Sequence, residues 1–355
     1  MNIREFAKLC GVSASSASRA LNRPPEQAEM GRALYDKIRA KAAELGYWPN
    51  YYAQRMQSAH SDKIGFIVGG ETYKLLFGEL IDAIATVLRP QQKSLTVFYC
   101  QNVVEDIMPA LEKMIHQGMD AIIIHPSTTH KIADIEKMLK DIKQRYPVLP
   151  PIVTVFSRFK ALKCIEIHLD EAAIGRQAAE RQLALKCRTF GVLCPSTSNP
   201  RNEAIIRSYC DTLKKHGIPK TQIIRVNAGY PATPEELRPL ADVEGLWLSF
   251  LLAFPGMRQG LQEVCSLENL HVDTFCTEES VSVFQWLCPN LDGEDMKLHP
   301  FKSLYIALAS IQKAGKAAAE AAIEAAYAET EPELRHKVDF RYVNFDESMN
   351  TTLFR

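Results

Sequence analysis

The 355 residues are 46% hydrophobic and 24% charged, ordinary for a water-soluble protein and too many for one compact core, so two or three domains are expected. Formal charge is zero, yet residues 1–60 hold nine Lys/Arg against five Asp/Glu, a surplus of four that the rest of the chain balances. A basic head on an acidic body suits contact with a polyanion. No apolar run reaches the roughly 18 residues of a membrane span and the start lacks a signal-peptide core, so a cytoplasmic protein is expected. Nine dispersed cysteines with no C-x-x-C pair point to reduced thiols rather than a disulfide or zinc framework.

Asn2 is placed to cap a first helix, with Glu5 three residues on to close a capping box. Ile3, Phe6, Ala7 and Cys10 recur at spacings of three and four, giving one apolar face, and Gly11 supplies a left-handed stop. Val12 plugs the core. Ser13 caps a second helix over Ala14–Leu21, with Ala17, Ala20 and Leu21 inward and Ala14, Ser15, Ser16, Ser18 and Arg19 outward. In a helix-turn-helix, this second helix enters the DNA major groove. Arg19 is the one outward side chain able to grip a guanine bidentately, while Ala14 can only touch a thymine methyl and Ser15 is too short for bidentate readout. Ser13, Ser16, Ser18 and Asn22 suit phosphate positioning. A third helix is expected over roughly Glu29–Leu45, burying Leu34, Ile38, Ala42 and Leu45, with Gly46 as its stop.

From Lys63 onward strands alternate with helices. The expected strands are Ile64–Val68, Leu95–Tyr99, Ala121–His125, Ile152–Phe156, Phe190–Cys194, Gln222–Val226, Gly245–Phe250 and Val272–Cys276. Between them helices are expected over Leu76–Leu88, Val104–Gln117, Lys131–Arg145, Glu171–Lys186, Asn202–His216 and Gly256–Val264. Two successive runs of this alternation predict two doubly wound parallel sheets with a cleft between them, an α/β body behind an all-α head. The alanine-rich run Lys313–Ala328 reads as a lobe-covering helix, with Leu304, Ile306, Leu308 and Ile311 leading into it. Gly65 to Gly70 lacks the G-x-G-x-x-G spacing, no phosphate-binding G-x-x-x-x-G-K or G-x-S-x-G elbow occurs, and no H-E-x-x-H pairs the histidines. Neither an enzyme, nor a metal, nor a cofactor is expected.

Gly11-Val12-Ser13-x-x-x-Ala17-Ser18-Arg19-x-Leu21-Asn22, then Leu45-Gly46-Tyr47-x-Pro49-Asn50-x-x-Ala53, closely resembles the lactose/galactose repressor (LacI/GalR) family. Ala17 stands where the family usually carries valine, and Met56 where it usually carries a leucine that inserts into the minor groove. The resemblance implies a DNA-binding domain over 1–48, a hinge and linker over 49–62, and a two-lobed periplasmic-binding-protein-like effector domain over 63–355. By it, Asn50, Ala53 and Met56 join the DNA contacts, Met56 as a wedge that kinks the duplex. It also implies a homodimer on a near-palindromic operator, acting as a repressor, with a carbohydrate-like effector between the lobes. Inducer and corepressor stay equally open.

The body matches the family more loosely, through Asp120-Ala121-Ile122-Ile123-Ile124-x-Pro126, Pro151-Ile152-Val153-x-Val155-x-Ser157-Arg158, Ile167-x-x-Asp170-x-x-x-x-Gly175 and Phe340-Arg341-Tyr342-Val343. Its departures fall where effectors bind. Ile205 stands at the usual arginine, Ser208-Tyr209 replaces Gly-aromatic, Glu278 and Glu279 replace a pair of aspartates, and Ser249-Phe250 replaces Asn-Asp. Candidate effector contacts are Tyr73, Phe77, His125, Ser127, Arg158, Arg201, Trp247 and Glu278. A second reading keeps the DNA-binding head but makes the cleft degenerate, with control through dimerisation or a protein partner.

Overall fold

A computed structural model describes residues 1–47, 60–69, 74–101, 103–126, 132–146, 148–157, 159, 161–195, 200–229, 231–249, 251, 254–278, 300–327 and 332–344. The chain packs as two units, Met1–Ser61 and Asp62–Arg355.

In the first unit, α1 (Ile3–Cys10), α2 (Ala14–Asn22) and α3 (Arg32–Glu44) enclose one small core. Asn2 Oδ1 accepts from the Arg4 and Glu5 amides at 3.0 Å, and Glu5 returns the bond to the Asn2 amide at 2.9 Å. That reciprocal cap satisfies otherwise orphaned N–H groups and is worth about 1 kcal/mol. Gly11 ends α1 at φ +70°, where a side chain would be strained. Phe6, Ala7, Cys10, Ala17 and Ala20 are buried as their spacing requires. The expected inner face of the third helix is rotated by one position. Leu34 and Leu45 are exposed, while Tyr35 joins Ile38 and Ala42 inside. Tyr35 wins its place because its hydroxyl donates to the Arg23 carbonyl at 3.0 Å and accepts from Arg39 at 2.8 Å, which leucine cannot do. Tyr47 closes the core by stacking on Phe6 at 4.4 Å.

The second unit holds two six-stranded sheets of the same order. In lobe 1 the strands are β1 (Lys63–Gly69), β2 (Ser94–Cys100), β3 (Ala121–Pro126), β4 (Ile152–Val155), β5 (Ile165–His168) and β11 (Arg335–Lys337), ordered β2-β1-β3-β4-β5-β11 and all parallel. Lobe 2 holds β6 (Phe190–Pro195), β7 (Ile223–Ala228), β8 (Gly245–Leu248), β9 (His271–Thr277), β10 (Ser303–Ala309) and β12 (Phe340–Asn344), ordered β7-β6-β8-β9-β10-β12, with only β12 antiparallel. The helices are α4 (Lys74–Leu88), α5 (Val103–His116), α6 (Ile132–Arg145), α7 (Glu171–Ala184), α8 (Pro200–Lys215), α9 (Pro234–Leu237), α10 (Phe254–Val264) and α11 (Ile311–Tyr327).

Period-two alternation divides each apolar strand between two helix layers. Ile64, Phe66 and Val68 of β1 face α4 and α11, whereas Ile67 faces the layer of α5 and α6. In lobe 2, Phe190, Val192, Trp247 and Phe275 face α7 and α8, whereas Leu193, Leu246 and Leu248 face α9 and α10. The first of these layers is one core continuous through both lobes.

The eight expected strands form, with ends shifted by one or two residues, and the expected helices form likewise, except that the third begins three residues late, at Arg32, because Glu29 holds a left-handed backbone. Leu304, Ile306 and Leu308, read as a lead into the alanine-rich helix, are instead the inner face of β10, and only Ile311 belongs to α11. Their spacing of two was the overlooked sign. The short β5 and β11 carry too few residues to show a pattern. The eight described cysteines are thiols, six of them buried. No described helix is long and apolar enough to cross a membrane.

Candidate nucleic-acid interface and inter-lobe cleft

The residues expected to meet DNA gather on α2 and its cap. Ser13 Oγ caps the helix by accepting from the Ser16 amide at 3.0 Å, and lies 2.8 Å from Ser15 Oγ and 2.9 Å from Ser16 Oγ. Four small residues therefore open the helix, leaving nothing that would hold its N-terminal turn away from a groove. Asn22 Nδ2 donates to Ser18 Oγ at 3.1 Å across one turn. Ala14 is half-buried and Ser15 exposed. Arg19 projects from the same helix but is not idle, because its Nη1 pairs with Glu29 at 2.8 Å. Arg23 approaches the same carboxylate at 3.7 Å, and Glu29 itself holds a left-handed backbone, φ +52°. Asn50, Ala53 and Met56 lie outside the described residues.

In the body, chain direction brings the C-terminal ends of strands from both sheets to one cleft. Phe156 follows β4 in lobe 1, Phe275 lies near the end of β9 in lobe 2, and Arg201 in the first turn of α8 stacks on both, 5.8 and 5.0 Å from the ring centroids. Phe156 adopts φ +53°, an unusual conformation for a bulky residue that costs about 1–3 kcal/mol and persists only where surroundings impose it. Its amide donates to the Ile167 carbonyl at 2.8 Å, which pins the turn. His125, at the end of β3, sets Nδ1 2.9 Å from the Val155 carbonyl and meets Phe156 edge-on at 6.3 Å. Burial pulls its imidazole down to about 4, and the Arg201 charge adds to that against the bond to Val155.

The other expected effector contacts divide. Phe77 is buried in the core beneath α4, 6.5 Å from the His125 ring and 6.0 Å from that of Tyr99. Trp247 is fully buried, 6.3 Å from the Tyr209 ring, with its Nε1 unpartnered. Glu278 pairs with Arg341 at 3.2 Å, beside the last strand. Tyr73, Ser127 and Arg158 lie outside the described residues. Ile205, at the family's arginine position, is completely buried against α7. Of the candidates, then, the structure gathers His125 and Arg201, and adds Phe156 and Phe275, which sequence reasoning missed. Glu171, the first residue of α7, feels the Arg201 charge, while burial pushes its carboxyl up overall. No cluster of metal-ligating side chains occurs among the described residues.

No family model matches the chain. It is 27% identical over 219 residues to the HTH-type transcriptional regulator GalS of Salmonella typhimurium, covering 61% of each chain. It is 25% identical over 217 residues to the regulator GalR of Escherichia coli, covering 61% of this chain and 60% of that one. The match thus spans about three fifths of these relatives' length. A shorter stretch of 109 residues is 38% identical to the regulator GntR of Pseudomonas aeruginosa, 31% of that protein. In fold, the Lac repressor bound to ONPG in its repressed state superposes with a TM-score of 0.69 at 14% identity, over 97% of this chain and 98% of that one. A transcriptional regulator CelR–cellobiose complex does so at 0.60 and 16% identity, over 97% and 99%. The chain is thus similar in sequence to the GalS and GalR regulators over about three fifths of its length, and in fold to the Lac repressor over nearly all of it.

Proposed function

We propose that this protein is a cytoplasmic, homodimeric, sequence-specific DNA-binding regulator, acting as a repressor, whose operator affinity is set by a small carbohydrate-like effector held between the two lobes of its body. The observation that carries this reading is the capped, serine-rich α2 with Arg19 as its one long outward cation, in the same chain as a two-lobed α/β body. Dimer symmetry would make the operator near-palindromic. Effector coupling of about 1–3 kcal/mol would change operator affinity roughly 5- to 150-fold.

The test is selection of duplexes from a random pool by the full chain, followed by titration of the best one. A palindromic consensus with a steep salt dependence is expected. Arg19→Ala should lose roughly 1–3 kcal/mol of discrimination at one guanine per half-site. No enrichment of any sequence, or an unchanged preference in Arg19→Ala, would sink the assignment.

A further inference from the structure

Among the described residues, two arginines of the body each lie over two aromatic rings, and one of them also meets a carboxylate. Arg181 of α7 lies 4.6 Å over Tyr305 and 4.0 Å over Tyr342, and its guanidinium pairs with the buried carboxylate of Asp273. Arg201 is held in the same manner by Phe156 and Phe275, but no carboxylate among the described residues is in ion-pair contact with it. Its Nε is buried and unpartnered. With aromatic rings against its π face, a guanidinium's N–H donors are satisfied by oxygen acceptors lying in its plane. Arg201 as a whole is half-buried, so the cost falls on the buried Nε–H, which has no acceptor, rather than on the whole charge.

A second poorly satisfied donor lies nearby in the same sheet. Ser249 follows β8 on the face that carries Trp247, the face shared with Phe275 of β9. It is almost completely buried, and its Oγ meets no oxygen or nitrogen partner, only the weakly accepting Cys194 sulfur. Its neighbour Cys194 is a weak hydrogen-bonding group and directs its own thiol to Asn227 Oδ1 at 2.9 Å. Arg201 also occupies the first turn of α8, a 16-residue helix whose positive end favours an anion. Glu171, the acid that senses Arg201, is not in ion-pair contact with it, and burial raises its carboxyl above the ordinary value.

We propose that the cleft takes a small polyhydroxylated molecule through an oxyanion, a carboxylate or a phosphate, seated on the in-plane edge of Arg201 with Ser249 as a second donor. The inference rests on reading the body as an effector sensor, and it moves the anchoring arginine one helical turn from Ile205. Beside a neutral sugar, no carboxylate among the described residues would be in ion-pair contact with the guanidinium.

The test is a thermal-shift and calorimetric titration of the full chain with neutral hexoses, the matching aldonic and uronic acids, hexose phosphates and inorganic phosphate. An acid or a phosphate ester should raise the melting point in a concentration-dependent way while its neutral parent does not. The acid and ester arms separate the two anion sources. Arg201→Gln should weaken that binding about 10- to 100-fold, and Ser249→Ala about 5-fold, while Arg207→Gln, exposed on the same helix, should leave it unchanged. Equal binding of the neutral parent, unchanged binding in both Arg201→Gln and Ser249→Ala, or silence across the panel would overturn the proposal. Operator titration of the same preparation keeps the two readings apart. Anion binding without any effect on DNA leaves this site standing and fails the regulator, and DNA binding with a silent panel does the reverse.

Discussion

In the folded head Arg19 is engaged by Glu29, so on the proposed reading a guanine would compete with a carboxylate for the same guanidinium. Arg19 is half-buried and Glu29 exposed, and a pair so open to water is worth roughly 0.2–1 kcal/mol. Glu29→Gln should therefore tighten operator binding about 1.5- to 5-fold, read by fluorescence anisotropy. Glu26→Gln makes the same charge change on an exposed residue of the same loop and separates release of Arg19 from simple electrostatics. Equal gains in both variants would remove Glu29 from any role as a competitor. His125 yields a prediction in pH. Its imidazole titrates near 4 in the fold against an ordinary 6.5, so it stays neutral in the native state while the unfolded chain takes up a proton. The stability it contributes is complete above about pH 6.5 and is lost as pH falls towards 4, in total about 1–2 kcal/mol once residual exposure is allowed for. Glu171, raised by burial, contributes with the opposite slope. Denaturant titrations between pH 4 and 7 should show a flatter dependence for His125→Gln than for the native chain; coincident slopes would assign the effect elsewhere.

At the scale of elements, the close approach of α7 to α8 depends on a missing side chain. A methyl group at Gly175 would fall 2.2 Å from the Ile205 carbonyl oxygen and 2.8 Å from the Tyr209 amide nitrogen, backbone atoms that cannot step aside. Gly175→Ala should cost about 2–3 kcal/mol in urea unfolding, whereas Gly78→Ala, with nothing within 4 Å, should be neutral or stabilising by up to about 1 kcal/mol. Elements were legible in the sequence where local chemistry decides them. The Asn2 cap, the Gly11 stop and the Ser13 cap each involve residues within four positions, and all three form. The misreadings have a common cause in distant partners. Tyr35 displaces Leu34 through its bond to the Arg23 carbonyl, twelve positions back, and β10 is a strand because β9 and β12 flank it.

At the scale of the molecule, the core that lies between sheet and helices in lobe 1 runs without a break into that of lobe 2. The body should therefore unfold in one calorimetric transition, with the head, which has a core of its own, melting separately. Two body transitions would show that the lobes fold independently. Continuity between lobes also explains why the cleft was only partly legible. His125 and Arg201 could be named from their places at strand and helix ends, but Phe156 carries no sign in sequence of its left-handed backbone. Nor does Phe275 show that it will meet an arginine some 70 residues earlier in the chain.

The chain passes between the lobes three times, from β5 to α7, from β10 to α11, and from β11 to β12. These passages lie side by side: the Val338 amide donates to the His168 carbonyl at 2.8 Å, Lys337 pairs with Asp170 at 3.1 Å, and Phe340 is in register with Ala309. Three neighbouring straps restrain a joint differently from one. They resist twisting and sliding of one lobe over the other, and leave a single soft rotation about the line on which they lie. On the proposed reading, a molecule clasped in the cleft would be reported outward as one angle.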